Sequence, residues 1–327
     1  SWNDGGVIDV TAGEWVHIAL SISATQSTIF FNGVAVRTAA LSSPVDWTGC
    51  DELVIGSGGP TFSYWNHKSD SSPMDELRLF NTALTETDIQ DMINVTNPYT
   101  GEFDGEMFYL PFDGDTKNRF TNAEATVVGA PGFAGESVKG ADAYAGAADS
   151  YLSFPTTGLT TDEFSASFWY NLNAAPGRAG ILVMGPEDLE RPEFPTFQNL
   201  RTSGFRFFRE GDAANQTFKL NVGNGTSDTW VDGGAAASLD PTTAGWVHMA
   251  FTIGNGKAIV YFDGEIVKES DFTGVDWAGC NLLSIGSGAP RFTEWGHLSD
   301  SSFIDELRLY NKVLTQEEVQ AVRSADL

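Results

Sequence analysis

The sequence predicts an all-β protein built from antiparallel two-sheet sandwiches, and three observations support this prediction. Short apolar runs, many of them alternating with polar residues, are separated by Gly, Asn, Asp or Ser, as is typical of strands joined by tight turns. An Asn-Gly pair at 32–33 and an Asp-Gly pair at 263–264 lie between such runs, and these pairs favour type I′ hairpins. Helical periodicity is scarce, and short strands at regular spacing are typical of sandwiches and barrels.

One passage occurs twice in the 327-residue chain. Residues 45–81 align without a gap on residues 275–311 at an offset of 230, and roughly two-thirds of the aligned residues are identical. A repeat of this kind indicates a duplicated domain. The first copy starts at a point where the second copy is already past its midpoint. We therefore expect residues 1–95 to form the C-terminal half of a domain, residues 96–105 a linker, and residues 106–327 a complete domain.

A short helix is predicted near the end of each copy. Thr85 and Asp88 precede one apolar run, and Thr315 and Glu318 precede its repeat. A threonine followed three residues later by an acid is typical of a capping box at a helix start. The stretch 94–106 after the first helix is polar and contains a proline and two glycines, which favours a linker there.

The charge of the chain excludes two classes of partner. The sequence has 18 Lys and Arg against 44 Asp and Glu, a formal net charge of −26. A surface of this sign repels nucleic acids and anionic lipids. No apolar run reaches the length of a membrane span, so we expect neither nucleic-acid binding nor membrane insertion. Residues 1–20 carry no signal peptide, and we expect any signal segment to lie upstream of this chain.

Each copy holds one cysteine, Cys50 in the first and Cys280 in the second. A single cysteine cannot close a disulfide within its own copy. Its position just before an apolar strand suits a small buried side chain.

Several motifs follow one another in the second copy: Y-L-P-F-D-G-D, S-A-S-F-W-Y-N-L, G-W-V-H-M-A-F, and I-D-E-L-R-L-Y-N before the capped helix. In this order they resemble the laminin-G-like branch of the concanavalin A-like lectin/glucanase superfamily, in its bacterial form. The resemblance covers 106–327 as a complete domain and 1–95 as a C-terminal half. It implies antiparallel jelly rolls in tandem, often with a structural calcium ion, that serve as carbohydrate-binding or adhesion modules of secreted and surface proteins.

Enzymes of this superfamily provide a test for catalysis. Its retaining hydrolases carry an E-x-D-x-x-E order on one strand, which directs two carboxylates into one cleft. The nearest stretches here, M-D-E-L-R-L-F and I-D-E-L-R-L-Y, lack the leading glutamate. Their adjacent Asp and Glu are expected to face opposite sides of a regular strand. We therefore expect this chain not to be an enzyme.

A calcium site is the metal site that the residues suggest. Asp113, Asp115 and Asn118 form an oxygen-rich turn after a strand, and Ca²⁺ binds six to eight oxygen ligands. The resemblance suggests Asp305 as the distant ligand, with Asp75 as its equivalent in the first copy. The alternative is a solvated turn in which the aspartates cap their own backbone.

A glycan site is predicted around the loop before the D-E-L-R strand. Sugar binding needs aromatic rings to stack on C–H faces and polar groups to contact hydroxyls. The candidate ligand-binding residues are Phe292, Trp295, His297 and Asp300 in the second copy, Trp65, His67 and Asp70 in the first copy, and Trp230 at a likely strand end. The alternative is that the tryptophan plugs the sandwich edge and the His–Asp pair braces the loop.

The predicted function is non-catalytic binding of a glycan or cell-surface polysaccharide, or adhesion, by a calcium-stabilised module of a secreted or cell-surface bacterial protein. One alternative is a structural or protein-binding spacer of a surface assembly without a sugar ligand. Another is an accessory domain of a glycan-degrading enzyme. We also expect residues 1–95 to be completed by other domains or chains of such an assembly, because half a sandwich leaves strand edges unpaired.

Overall fold

The computed structural model of the chain describes residues 2–7, 15–62, 64, 66–67, 69–75, 77–95, 99–191 and 193–327. The chain forms two compact units, Ser1–Pro98 and Tyr99–Leu327. Among the described residues, both units contain antiparallel strands and each has one short α-helix. The predicted all-β fold class is therefore confirmed.

The first unit contains a three-stranded antiparallel sheet and a helix. The strands β1 (Ile18–Ile22), β2 (Gln26–Phe31) and β3 (Val34–Ala40) lie in that order in the sheet, and the helix is α1 (Glu86–Val95). Asn32 and Gly33 connect β2 to β3 with φ angles of 48° and 79°. Positive φ at both positions is the geometry of a type I′ turn, so the predicted hairpin is confirmed.

The second unit is a sandwich of two eight-stranded sheets. Its elements are β4 (Glu106–Leu110), β5 (Thr126–Val128), β6 (Gly132–Phe133), β7 (Tyr144–Ala145), β8 (Tyr151–Pro155), β9 (Phe164–Asn171), β10 (Arg178–Met184), β11 (Phe205–Gly211), β12 (Gln216–Gly223), β13 (Asp228–Asp232), a 3₁₀ helix (Gly234–Ala237), β14 (Ser238–Leu239), β15 (Trp246–Gly254), β16 (Lys257–Phe262), β17 (Glu265–Asp271), β18 (Leu282–Ile285), β19 (Phe303–Tyr310) and α2 (Gln316–Ala325).

Each sheet combines strands that are distant in sequence. One sheet has the order β13-β12-β11-β10-β18-β8-β5, with β14 beside β12, and we call it the loop-side sheet. The other has the order β17-β16-β15-β9-β19-β7-β6, with β4 beside β19, and we call it the helix-side sheet. Every pairing is antiparallel.

The core between the sheets is rich in phenylalanine. The ring of Phe207 from the loop-side sheet lies 5.3 Å from Phe251 and 5.9 Å from Phe168 of the helix-side sheet, measured between centroids. All three side chains are fully buried. Because aromatic side chains bury large apolar areas, this layer of rings contributes strongly to the stability of the sandwich.

Helix α2 covers the outer face of the helix-side sheet. Thr315 and Glu318 form the predicted capping box, and Val319 and Val322 pack in a cluster with Tyr261 and other residues of that face. The first helix is similar, because the Thr85 hydroxyl accepts a hydrogen bond from the Asp88 amide. Each helix has ten residues, and none among the described residues is long and apolar enough to cross a bilayer.

The two copies form different secondary structure in the passage where their sequences are most similar. In the second unit, the repeated passage forms β18 between β8 and β10, and β19 between β9 and the pair β4 and β7. In the first unit, the described residues of 52–58 and 74–80 form no strand, apart from one bridge from Ser57 to Ser69. Both places carry apolar runs, E-L-V-I-G-S-G and M-D-E-L-R-L-F, that predict strands. The prediction is wrong there because no partner strands lie beside these segments among the described residues.

The burial of equivalent residues also differs between the two copies. Leu77 is 54% exposed, whereas its equivalent Leu307 is 0% exposed. Cys50 is exposed and Cys280 is buried, and both are free thiols. The predicted small buried cysteine is thus found in the second copy alone.

The second unit begins earlier than the sequence predicts. The ring of Tyr99 lies 4.9 Å from Tyr109 and 5.0 Å from Phe120. The Glu102 amide donates a hydrogen bond to the Glu106 carboxylate. Residues 99–105 of the predicted linker are therefore packed on the second unit, and residues 96–98 lie outside the described residues.

The equivalent leucines allow a paired test of this difference. We predict that Leu307→Ala lowers the free energy of unfolding of the second unit by about 2–5 kcal/mol, because it leaves a cavity in the core. Leu77→Ala should leave both thermal transitions unchanged, because that side chain packs little. Differential scanning calorimetry of the two variants measures both effects, and an equal loss in the two would contradict the assignment.

Candidate functional site

The outer face of the loop-side sheet carries the polar and aromatic residues of interest. On β11, β12 and β13 the residue Phe208 pairs with Lys219, which pairs with Asp232. One step along, Asn221 pairs with Trp230. Strand alternation directs the intervening residues, such as Phe207, into the core.

The loop 286–302 folds over this face and brings aromatic rings together. Phe292 stacks on His297 at 4.9 Å and 15°, and both rings contact Phe208. Trp295 stacks on Trp230 at 6.0 Å and 24°. The loop therefore builds one aromatic cluster, of which the two tryptophans form the outer layer.

The tryptophan pair remains accessible. Trp295 is 37% exposed and Trp230 is partly exposed. The Arg201 guanidinium lies 4.7 Å from the Trp295 ring centroid and 5.9 Å from that of Trp230. The Nε of Arg201 also donates to Asp228 at 2.9 Å, which holds the guanidinium against the rings. An arginine over an aromatic face stabilises the ring position.

A polar depression lies next to the tryptophans. Its volume is about 260 Å³, and its lining consists of Arg178, Glu210, Gly211, Thr217 and Lys219. Lys219 forms ion pairs at 2.9 Å with both Glu210 and Asp232. The Arg178 guanidinium donates a hydrogen bond to the Trp295 carbonyl, so the depression adjoins the aromatic pair.

The ionised groups of this depression stabilise one another's charged forms. Burial alone would lower the pKa of Lys219, but its hydrogen bonds to Asp232 and Glu210 raise it overall. The ammonium therefore stays charged at neutral pH. An apolar ring surface beside fixed donors and acceptors suits a ligand that has both C–H faces and hydroxyl groups.

His297 lies under the surface. Its side chain is fully buried, and its Nε2 is 3.2 Å from a carboxylate oxygen of Glu210. Burial lowers the pKa of His297 to about 4, although Glu210 acts in the opposite direction. The imidazole is therefore neutral at pH 7 and braces the loop, together with the buried Phe292. Neither of these two predicted ligand-binding residues is exposed.

Asp300 is a core residue. Its carboxylate accepts a hydrogen bond of 2.8 Å from Arg209 and one of 2.5 Å from the Tyr170 hydroxyl. Burial, followed by the charge of Asp300, raises the pKa of Tyr170 well above its ordinary value, so its hydroxyl stays protonated and donates. Ser302 donates to the same carboxylate. This predicted ligand-binding residue anchors the loop to the sandwich.

The equivalent loop of the first unit is exposed. Trp65, a predicted ligand-binding residue, lies outside the described residues. The ring of His67 lies 5.0 Å from Phe62, and both are exposed. Asp70 is also exposed and accepts a hydrogen bond from the Ser72 amide. The same motif thus braces a loop in the second unit and lies at the surface in the first.

The predicted calcium ligands are only partly brought together. Asp115 pairs with Arg119 at 3.0 Å, and the Asn118 side-chain oxygen accepts hydrogen bonds from the Tyr109 and Phe120 amides. Among the described residues, no three or more Asp, Glu, His or Cys side chains converge as a metal site. Asp115 and Asn118 thus form hydrogen bonds within their own turn.

Of the predicted calcium ligands, Asp113 and Asp305 contact the same loop. Asp305 is buried and accepts hydrogen bonds from the Val138 and Lys139 amides, and Asp113 accepts one from the Ala141 amide of the same loop. Burial, and to a lesser degree the charge of Asp113, raises the pKa of Asp305 to about 6. The two carboxylates thus accept hydrogen bonds from one loop, and the charge of Asp113 disfavours the ionised form of Asp305. Their first-unit equivalent, Asp75, is exposed.

The D-E-L-R strand departs from simple alternation. Glu306 has a φ of 51°, and the register of β19 against β9 shifts between Asp305 and Arg308. Ile304 and Leu307 both face the core, so the adjacent Asp305 and Glu306 share the outer face. The prediction that they face opposite sides is therefore wrong, because a bulge intervenes. Glu306 is buried against Arg308 at 2.7 Å and accepts from the Tyr109 hydroxyl, so the two acids form no open cleft.

Sequence reasoning missed the polar residues of the depression. Arg178, Glu210 and Lys219 come from three strands, and only their register brings them together. The available signal was the alternation of residues in the stretch 205–211, which predicts that every second side chain points outward. Arg206 in that stretch is buried and donates to the carbonyls of Leu200 and Ser203, so it does not line the surface.

The fold and this surface define a sandwich with a loop-covered, aromatic outer face. The family model described as the concanavalin A-like lectin/glucanases superfamily, a laminin G model, matches residues 3–90 and 145–320. The chain belongs to this superfamily. No curated protein matches the chain in sequence.

Solved structures with similar folds include sugar-binding proteins. Domain 4 of AbnA, an extracellular arabinanase from Geobacillus stearothermophilus solved with arabinotriose, has 20% identity and a TM-score of 0.45, over 67% of this chain and all of that domain. The binding domain of botulinum neurotoxin DC, solved with SialylT, has 14% identity and a TM-score of 0.46, over 68% of this chain. The match covers 52% of the toxin domain, so this chain spans about half its length.

Asp300 and Asp70 provide a matched test of the bracing role. We predict that Asp300→Asn lowers the free energy of unfolding of the second unit by about 3–5 kcal/mol, because Arg209 is left buried without its partner. Asp70→Asn, the same change in the same motif, should leave the thermal transitions in place. Chemical denaturation followed by tryptophan fluorescence checks both, and a stable Asp300→Asn protein would contradict the bracing role.

Proposed function

We propose that the second unit is a non-catalytic glycan-binding module. The stacked, accessible pair of Trp230 and Trp295 beside a polar depression carries the proposal. Aromatic rings bind the apolar faces of sugars, and adjacent charged groups contact their hydroxyls. The fold is compatible with this function but does not by itself imply it.

The charge of the surface favours a neutral glycan. Three cations of this surface, Arg178, Arg201 and Lys219, are each paired with an acid among the described residues, namely Glu210, Asp228 and Asp232. The net charge of −26 also repels anionic polymers. Neutral polysaccharides are therefore the ligand class that we propose.

The absence of catalysis is part of the proposal. The nearest acid pair, Asp305 and Glu306, is buried and hydrogen-bonded, and Glu306 is paired with Arg308. A retaining glycosidase needs two accessible carboxyl groups beside the substrate. We place the module in a secreted or cell-surface protein, where adhesion to a polysaccharide is the role that suits such binding.

Removal of the outer tryptophan tests the site. We predict that Trp295→Ala weakens binding to neutral glycans on an array about 5- to 30-fold, because a stacked ring contributes about 1–2 kcal/mol to binding. Trp47→Ala, at a 69% exposed tryptophan of the first unit, is the control and should leave binding unchanged. Binding that survives Trp295→Ala, or an array without signal for the folded protein, would contradict the proposal.

We further propose that Ca²⁺ stabilises the second unit through Asp113 and Asp305. Their shared loop and the effect of the Asp113 charge on Asp305 support this, since a bound cation would offset that charge. Calcium at 100 times its Kd should stabilise the unit by about 2.7 kcal/mol, seen as a rise in Tm that EDTA reverses. Asp305→Asn should abolish the rise, and Asp75→Asn should not. An unchanged Tm in the parent protein would contradict the proposal.

A further inference from the structure

Strand β12 carries a line of polar side chains on the outer face of the loop-side sheet. Phe218 and Leu220 of this strand lie in the core. Because side chains alternate along a strand, Thr217, Lys219 and Asn221 face outward. Thr217 and Lys219 are partly exposed. The strand therefore offers a polar line to solvent along much of its length, which we call the β12 line.

The β12 line joins the two parts of the candidate site. At one end, Asn221 pairs with Trp230, on which Trp295 stacks. At the other end, Thr217 lines the polar depression and pairs with Ser238, and their hydroxyl oxygens are 2.7 Å apart. The tryptophan pair and the depression thus lie at opposite ends of one strand.

The middle of the line is polar as well. Lys219 forms ion pairs of 2.9 Å with Glu210 on one side and with Asp232 on the other. Asp232 is exposed. An ammonium group donates hydrogen bonds and a carboxylate accepts them, so both kinds of partner for sugar hydroxyls are present between the two ends.

The length of the line sets a minimum size for a ligand that contacts both ends. Thr217 is four residues from Asn221, which is about 14 Å at the rise of an antiparallel strand. Neighbouring units of a linear glycan are about as far apart as neighbouring strands, about 4.8 Å. A ligand that reaches from Trp230 to Thr217 therefore has about three sugar units or more.

The turns at the two ends of β12 are accessible. Residues 211–215, which lead into the strand, are exposed, and residues 224–227, which follow it, are exposed or partly exposed. A glycan longer than the line can therefore continue past either turn. This arrangement favours the middle of a chain over a chain terminus, which would be held in a closed pocket.

We propose that this surface binds an internal stretch of a linear neutral polysaccharide, about three sugar units or more in length, that runs along β12. The unit at one end contacts Trp230 and Trp295, and the unit at the other end contacts Thr217 and Ser238. The proposal rests on the glycan-binding function proposed above. It adds the length and direction of the ligand, and it assigns Thr217 and Ser238 as further contact residues.

A series of oligosaccharides tests the length. Cello-, laminari- and arabino-oligosaccharides of two to six units are titrated into the full chain by isothermal titration calorimetry. In a series that binds, Kd should fall at least tenfold from the dimer to the tetramer, because only the tetramer reaches Thr217, and less than threefold from the tetramer to the hexamer. Equal affinity for the dimer and the tetramer would overturn this proposal and leave glycan binding in place. Binding of none of these sugars, with no signal on the glycan array, would contradict the proposed function itself.

Variants at the far end of the line test its direction. Thr217→Val keeps the branched shape and removes the hydroxyl, so it should weaken binding of the tetramer about 3- to 10-fold and that of the dimer less than twofold. Ser238→Ala should act in the same way and provides a second variant should the first fail to fold. Thr160→Val, at an exposed threonine between β8 and β9, is the matched control and should leave the tetramer affinity unchanged. An unchanged tetramer affinity in both Thr217→Val and Ser238→Ala would overturn the proposal.

A hexamer with a blocked end tests whether the middle of the chain is bound. A fluorophore coupled to the reducing end should leave Kd within twofold of the value for the free hexamer, because internal units make the contacts. A loss of affinity of tenfold or more on blocking would show that the chain end is bound, and it would overturn the proposal.

Discussion

Strand β9 pairs with β15 along one edge and with β19 along the other, and much of the second unit depends on these two pairings. Its inward side chains, Phe164 and Phe168 among them, enter the aromatic core. Its Tyr170 donates to Asp300, which also binds Arg209 of the opposite sheet. Through this contact β9 fixes the start of β19 and the loop before it. The position of Trp295 on the surface follows from that loop.

The candidate site therefore consists of two layers of packed side chains, one buried and one at the surface. The lower layer, with Phe292 and His297 on Phe208, is closed to solvent and holds the loop in place. The upper layer, with Trp230 and Trp295, is accessible and adjoins the charged depression. The motif that the two copies share most closely belongs mainly to the lower layer.

Much of this could be predicted from sequence, because it is local. Alternation predicts the strands of the second unit. Asn32–Gly33 predicts a hairpin turn, and Thr315 with Glu318 predicts a helix cap, and the structure has both. The sequence also suggests Trp230 and Trp295 as residues of one site, and their rings do stack on each other. What could not be predicted depends on pairing between distant segments. Leu77 and Leu307 lie in the same local sequence, but only Leu307 has partner strands to bury it.

The other misses share this origin. The bulge at Glu306 places two adjacent acids on one face, and it follows from the fit of β19 against β9 and β4. Asp300 and His297 are polar residues in a loop, which suggested a surface position. Their burial depends on Arg209 and Glu210, which β11 supplies. The depression depends on the register between neighbouring strands, and that register cannot be predicted from the sequence of a single strand.

Hydrogen–deuterium exchange of the unmodified chain tests this dependence on partner strands most directly, because both copies are measured in one sample. The account predicts that amides of 282–285 and 304–310 exchange slowly, whereas those of 52–55 and 74–80 exchange at nearly the rate of an unstructured chain. Equal protection of the two copies in the isolated, monomeric chain would contradict it. Strand formation would then be a property of the repeated sequence itself, without the strands that flank it in the second unit.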